Sequence, residues 1–247
     1  MARLALLLPP TLLVLVPLEA HAAEAGTADL LSRPLALVVA LAIVSLLPFA
    51  FMSVTAFVKI STVLHIVRGA IGAQGVPSNT VVMALAAALT LLAMAPVGGR
   101  IAERASPLLT NTPTETSVLV SGLVEAVKEP LRGFLQANAS ERERNRFLQV
   151  ARKARPEAER DEVQPHDLTV LVPAFMVTEL LEAFALGFAI YLPFLVIDLV
   201  VANVLLALGM QMLSPTQVSL PFKLLLFVAI DGWGLLAQSL VVGYRPG

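Results

Sequence analysis

The chain has 247 residues, of which 57% are hydrophobic and only 14% are charged, and its formal net charge is −1. An ordinary globular chain carries roughly 25% charged residues, so this one has too few polar side chains to cover a water-facing surface. The composition therefore predicts a membrane protein. The small net charge gives no basic field that would attract nucleic acid, and the absence of cysteine excludes disulfides and thiolate metal sites.

Residues 1–22 have the features of a secretory signal peptide. Arg3 supplies a positive start, Leu4–Leu18 is an apolar stretch, and Ala20-His21-Ala22 fits an A-x-A cleavage site. We predict a signal peptide over these residues. The alternative is an N-terminal anchor that is not cleaved.

Residues 23–100 are predicted to form a helical hairpin. Uncharged runs cover Pro34–Val58 and Gly69–Gly99, and a membrane-spanning helix needs about 20 apolar residues. Three glycines and a proline lie between residues 69 and 79, a composition that breaks helices. We therefore expect a turn over 69–79 and the second helix over 80–97.

Residues 101–167 carry 21 of the 35 charged residues and are predicted to form a polar helical insertion. Ser140 followed by Glu143 fits a capping box, and Glu141–Arg155 is a mixed-charge amphipathic stretch. A cleaved signal peptide followed by two spans would place the insertion on the periplasmic side. The basic residues Lys59 and Arg68 would then lie near the cytoplasmic turn, as the positive-inside rule prefers.

Residues 168–247 are predicted to form a second helical hairpin. Four prolines should kink or end its helices: Pro173, Pro193, Pro215 and Pro221. Together the two hairpins give an all-α fold with four nominal transmembrane helices.

Six charged residues lie in or beside apolar runs, where facing lipid would cost ~2.5–3.5 kcal/mol each at a helix centre. They are Lys59, Glu179, Glu182, Asp198, Lys223 and Asp231. Three interpretations compete: pairing between helices or subunits, a proton or ion relay, and the lining of a polar conduit. Spacing does not separate them, although Thr55, Lys59, Thr62 and His65 fit one helical face.

The sequence gives little support for catalysis. It contains no nucleophile elbow, zinc-protease motif, phosphate-binding loop or dinucleotide-binding glycine motif. The three histidines, His21, His65 and His166, are too scattered to suggest a metal centre. We predict that the protein is not an enzyme and uses no cofactor or metal.

Two long stretches of the chain resemble the signatures of the FliP/SctR family, the export gate of flagellar and virulence type III secretion systems. The first is Phe51–Asn79. The second runs in pieces through Leu171–Leu180, Tyr191–Asn203, Leu206–Pro215 and Ser219–Trp233. The resemblance covers about residues 34–100 and 168–244. It implies a structural, pore-forming subunit of a bacterial inner-membrane channel.

The resemblance also implies partners. Five copies would assemble with a small two-helix gate subunit and a single-copy third gate subunit. The gate would contact other membrane proteins of the apparatus and its rod and needle subunits, and it would pass unfolded substrate proteins. Lys59, Tyr191-Leu-Pro-Phe194 and Ala202-Asn203 resemble the virulence branch, which favours an injectisome. Flagellar export stays possible, since the signal-like N terminus is more typical of flagellar members.

Met210, Gln211 and Met212 match the methionine loop that narrows the pore in this family. Flexible, apolar thioethers suit a gasket that closes upon itself and yields around a passing chain. Gln211 stands where the family has a third methionine. The resemblance further implies that Lys59, Lys223 and the acidic positions Glu179, Asp198 and Asp231 pair within or between subunits.

A second hypothesis belongs to a different class of protein. A proton-coupled secondary transporter would use carboxylates within the membrane as a relay. Glu179, Asp198 and Asp231 would be its candidates.

Overall fold

A computed structural model describes residues 27–73, 75–110 and 116–247 of the chain. The predicted signal peptide, residues 1–22, lies outside these residues. The described residues form eight α-helices and one 3₁₀ turn, and they contain no strand, which confirms the all-α prediction. The helices are α1 (Thr27–Val54), α2 (Phe57–Ile71), α3 (Asn79–Thr110), α4 (Thr116–Asn138), α5 (Glu141–Lys153), α6 (Leu168–Ala207), α7 (Pro215–Ala229) and α8 (Gly232–Val242); the 3₁₀ turn is Glu157–Glu162.

The chain divides into two compact units, Met1–Leu46 and Leu47–Gly247. In the first unit the structure describes only the greater part of α1. The second unit contains the rest of α1 and every other helix, and the account below concerns it.

Two helices are long and apolar enough to cross a membrane, namely α3 and α6. Two bent pairs would raise the number to four if each counts as one span: the end of α1 with α2, bent by 72°, and α7 with α8, bent by 57°. The fold is therefore that of a helical membrane protein, and the four nominal spans include two broken ones.

The first span differs from the prediction. The uncharged run Pro34–Val58 does not form one helix, because α1 ends at Val54 and α2 begins at Phe57. Thr55 and Ala56 lie at the break, and both are buried. Thr55 therefore does not belong to the helical face that carries Lys59.

The turn between α2 and α3 is shorter than predicted. Helix α2 continues through Gly69 and ends at Ile71, where Gly72 adopts a left-handed φ of 75°. Such a φ is easily reached only by a residue without a Cβ, so Gly72 rather than Gly69 ends the helix. Helix α3 runs on to Thr110, thirteen residues past the predicted end, with Pro96 and Pro107 inside it.

The polar insertion contains helices, as its sequence suggests. Ser140 caps α5, since its Oγ accepts a hydrogen bond from the Glu143 backbone N–H at 3.3 Å. The capping box is only half formed, because the Glu143 side chain turns to Arg146 at 2.8 Å and the Ser140 N–H donates to Thr178 Oγ1 at 3.1 Å. Helix α5 ends at Lys153, two residues before the predicted end.

Three of the four prolines in the C-terminal part lie within helices and do not end them. Helix α6 continues through Pro173 and Pro193 for 40 residues, and α7 continues through Pro221. Pro215 is the first residue of α7, a position where its missing N–H costs nothing.

Two buried clusters hold the second unit together. The larger one joins α2, α3, α6, α7 and α8, and α2 makes its most extensive contact with α6. The apolar residues of α2 in this cluster recur every three to four positions, which is the spacing of one side of a helix. They are Ile60, Val63, Leu64, Val67, Ala70 and Ile71. The smaller cluster packs α4 on α6 through Phe134 and Phe175, whose ring centroids are 5.5 Å apart.

Candidate functional site

A first charged cluster forms around Lys59, near the start of α2. Its Nζ lies 2.8 Å from Glu182 Oε2 and 3.3 Å from Glu179 Oε1. The two glutamates are three residues apart on α6, so they lie on the same face of that helix. The side chains of Lys59 and Glu179 are 6% and 1% exposed, whereas that of Glu182 is 52% exposed. The lysine therefore pairs with one buried carboxylate and one solvent-exposed carboxylate.

Tyr244 completes this cluster, although it lies in the segment after α8. Its hydroxyl donates a hydrogen bond to Glu179 Oε2, and the Lys59 Nζ lies 4.2 Å from its ring centroid, within the range of a cation–π contact. Burial, with the negative charge of Glu179, raises the pKa of the Tyr244 hydroxyl far above its usual range. The raised pKa favours the protonated phenol, whose hydroxyl donates to Glu179.

A second charged cluster lies around Lys223 of α7. Its Nζ lies 2.6 Å from Asp198 Oδ2 on α6 and donates to the Ala70 carbonyl oxygen of α2 at 3.3 Å. Ser219 Oγ donates to the other carboxylate oxygen of Asp198 at 2.5 Å. The Lys223 side chain is 3% exposed and that of Asp198 is 25% exposed. This cluster satisfies both charges and ties three helices together.

Asp231 belongs to neither cluster. It lies at the break between α7 and α8 with a left-handed φ of 53°, and it is exposed. Among the described residues its carboxylate makes no hydrogen bond or ion pair with another side chain. Lys223 lies eight residues away in sequence and pairs instead with Asp198.

The carboxylates suggested for a proton relay are not adjacent. Glu179 and Asp198 are 19 residues apart on one helix, which corresponds to about 28 Å. Each is engaged by a different lysine. Within the described part of the chain, no group of three or more histidine, aspartate or glutamate side chains could hold a metal ion.

Met210, Gln211 and Met212 lie in the loop that joins α6 to α7. Met212 is 99% exposed and Met210 is 44% exposed. Their side chains therefore fill no gap in the core of the single chain.

Sequence reasoning missed several polar residues of these clusters. Tyr244 lies in a short segment after the last apolar run and carries no recognisable motif. Ser219 is equally inconspicuous in sequence. Their roles depend on which helices come together, and no local pattern encodes that.

These features define an all-helical membrane protein in which the two buried lysines, Lys59 and Lys223, pair with carboxylates of a neighbouring helix. Residues 40–240 match the FliP family. The chain belongs to the FliP family.

Relatives of known name align with most of the chain. "Hypersensitivity response secretion protein HrcR" from Ralstonia nicotianae is 43% identical over 209 residues, which cover 85% of this chain and 96% of that protein. "Yop proteins translocation protein R" from Yersinia pestis is 41% identical over 211 residues, which cover 84% of this chain and 95% of that protein. "Flagellar biosynthetic protein FliP" from Cereibacter sphaeroides is 44% identical over 221 residues, covering 89% of this chain and 69% of that protein. The near end-to-end match with virulence proteins places the chain in the virulence-type SctR branch of the family.

Proposed function

We propose that this protein is the pore-forming subunit of a type III secretion export gate, and specifically of an injectisome. The observation that carries the proposal is the family match over residues 40–240, which includes the methionine loop and all six charged positions. The relatives' names, a "secretion protein" and a "translocation protein", agree with it. The protein resides in the bacterial inner membrane.

The apolar surface of the subunit is compatible with assembly, and the pentamer is proposed from the family resemblance. Helix α6 has a mean apolar character suited to burial, yet many of its large apolar side chains are exposed in the single chain. They include Phe184, Phe188, Leu192, Val196, Leu199 and Val200. Exposed apolar patches of this kind contact either lipid or a partner chain. We propose a homo-pentamer that also binds the small two-helix gate subunit and the single-copy third subunit.

The pore constriction is assigned to the loop between α6 and α7. Met212 and Met210 project from the subunit, and unbranched thioethers pack on one another without a fixed geometry. In a ring of five copies these side chains would close the channel to ions while yielding to an unfolded polypeptide. Gln211 adds a ring of polar amides, so the seal is less dry than one built of three methionines.

The remaining assignments concern domains and topology. Residues 1–22 would act as a signal peptide. Residues 23–100 and 168–247 would form the two hairpins, and residues 101–167 would form the insertion on the periplasmic side. The boundary after residue 100 separates proposed roles and not helices, because α3 continues through it to Thr110. The role is structural, so no catalysis is proposed.

The proposal is tested in a host that lacks its own copy of this subunit but retains the other parts of an injectisome. The wild-type gene should restore secretion of substrate proteins, and the double variant Met210→Ala, Met212→Ala should keep the complex intact while increasing the leak of small ions through it. The matched control is Met83→Ala, because Met83 packs against the core and has no place in the constriction. Restored motility of a second host that lacks the flagellar counterpart, without secretion in the first host, would assign the chain to a flagellar system. Proton-linked solute uptake by the isolated protein would overturn the proposal.

A further inference from the structure

The segment Gly243–Gly247, which follows α8, is attached to helices far away in sequence. The Arg245 N–H donates to Asn138 Oδ1 at 3.0 Å, and Asn138 Nδ2 donates to the Arg245 carbonyl oxygen at 2.8 Å. The Arg100 guanidinium donates to the Gly247 carbonyl oxygen. The backbone of this segment is therefore fastened to the end of α4 and to α3.

From this anchored backbone the Tyr244 side chain reaches the break between α1 and α2. Its hydroxyl bonds to Glu179 and lies 3.2 Å from the carbonyl oxygen of Ala56, the residue at the break. Its ring stacks on Phe134 of α4 at 5.8 Å between centroids and covers Lys59. One side chain thus contacts α2, α4 and α6 at once.

The start of α2 at the break has no side-chain cap from the residue before it. The first N–H groups of any helix lack partners within that helix, and Ala56, which precedes α2, has no side chain that could cap them. Locally, Thr55 Oγ1 donates to the Phe51 carbonyl oxygen of α1 at 2.6 Å and accepts a long bond of 3.4 Å from the Phe57 N–H, and the rings of Phe51 and Phe57 lie 5.9 Å apart between centroids. The local contacts involve few side chains, so the contact from Tyr244 adds substantially to the support of the bend.

We infer that Gly243–Gly247 is a clasp that fixes the bend between α1 and α2. Tyr244 is its positioning residue, which holds Lys59 against Glu179 and Glu182. This inference goes beyond the proposed function and does not depend on it, because the clasp concerns the conformation of one subunit.

The first test measures amide hydrogen exchange in the full-length protein in detergent. Tyr244→Phe keeps the ring and removes only the hydroxyl. Because a hydrogen bond to a charged group contributes ~1.5–3 kcal/mol, exchange in the peptide that covers Phe57–Ile60 should become about tenfold faster or more. Asn138→Ala, which releases the backbone of the clasp, should accelerate exchange in the same peptide.

The matched control is Tyr191→Phe. Tyr191 is the other tyrosine of the chain, packs against the larger cluster, and its hydroxyl has no hydrogen-bond partner among the residues described. Exchange over Phe57–Ile60 should not change in this variant. Equal exchange in the Tyr244→Phe and Tyr191→Phe variants would overturn the clasp.

The second test measures acetylation of lysine by a water-soluble reagent. The chain has four lysines, of which Lys153 is exposed and normalises the reaction. Tyr244→Ala should accelerate labelling of Lys59 about tenfold relative to Lys223, whose partners lie in the other cluster, while Tyr244→Phe should leave Lys59 covered. An equal rise at Lys59 and Lys223 would mean that Tyr244 supports the whole fold, and this result would overturn the positioning role. Unchanged labelling of Lys59 in Tyr244→Ala would overturn it as well.

Discussion

The Lys223 ammonium lies 2.6 Å from the Asp198 carboxylate and joins two helices that are consecutive in the chain. The same ammonium donates to the Ala70 carbonyl oxygen near the end of α2, where the helix has free carbonyl groups. This lysine thus connects the first half of the chain to the second.

Replacing Lys223 by alanine should destabilise the subunit and impair its assembly. The change leaves Asp198 without its cation, and a hydrogen bond to a charged group contributes ~1.5–3 kcal/mol. We expect a lower midpoint of thermal unfolding in detergent and less assembled complex. Lys128→Ala is the control, since Lys128 forms an exposed pair with Glu125 worth little. Normal assembly and secretion with Lys223→Ala would contradict this role of the pair.

Gly187→Ala should weaken the contact between α6 and α2. A Cβ at Gly187 would lie 2.5 Å from Ile66 Cδ1 and 2.9 Å from Ile66 Cγ2, closer than atoms pack. Overpacking of this kind costs ~1–3 kcal/mol, and thermal unfolding would report it. Adding Ile66→Val removes the nearest atom and should restore part of the loss.

The control for this prediction is Gly69→Ala. Gly69 lies within α2, and a Cβ there would meet nothing within 4 Å. Alanine is favoured over glycine inside a helix by up to ~1 kcal/mol, so this variant should be as stable as the wild type or more so. A Gly187→Ala variant that matches Gly69→Ala would show that the helices separate at no cost.

Ser140→Ala should destabilise the insertion by about 1 kcal/mol, the usual cost of losing an N-cap. Ser140→Asp should be nearly neutral, because aspartate caps equally well. Urea unfolding of the purified protein measures both. Ser121→Ala is the comparison, since Ser121 is exposed and bonds only to the carbonyl of Val118 in its own helix. An equal effect of the two alanine variants would exclude a capping role.

Alkaline pH should destabilise the protein through Tyr244. Burial raises the pKa of its hydroxyl, whereas in the unfolded chain the pKa returns to about 10. The unfolded state therefore releases a proton first as the pH rises, so the contribution of Tyr244 to stability is complete below about pH 10 and is lost progressively above it.

The absorbance of tyrosinate measures this directly. Tyr244 should stay protonated in the folded protein and ionise only when the protein unfolds. The Tyr244→Phe variant should lack this late step. A folded protein in which Tyr244 ionises near pH 10 would contradict the hydrogen bond to Glu179.

The sequence predicts the helical class well, because apolar runs of membrane length leave few other possibilities. It also predicts the start of α5 at Ser140. It does not predict the bend at Thr55 and Ala56, since nothing in an uncharged run distinguishes a broken helix from a straight one. Gly69 misleads, because a single glycine is tolerated within a helix that is held in place by its buried face.

For the charged residues, too, the sequence predicts one part of their arrangement and leaves another part open. Their position in apolar runs indicates that they avoid lipid, and the spacing of Glu179 and Glu182 places both on one face. Which acid meets Lys59 and which meets Lys223 depends on the packing of α2, α6 and α7, which no local pattern encodes. Tyr244 gives no signal in the sequence for the same reason.

Native mass spectrometry of the detergent-extracted protein, expressed with its neighbouring genes, tests the proposed export gate most directly. The proposal predicts a complex of five copies of this chain with small helical partners and one copy of a third subunit. A lone monomer or dimer that persists under gentle extraction would contradict it.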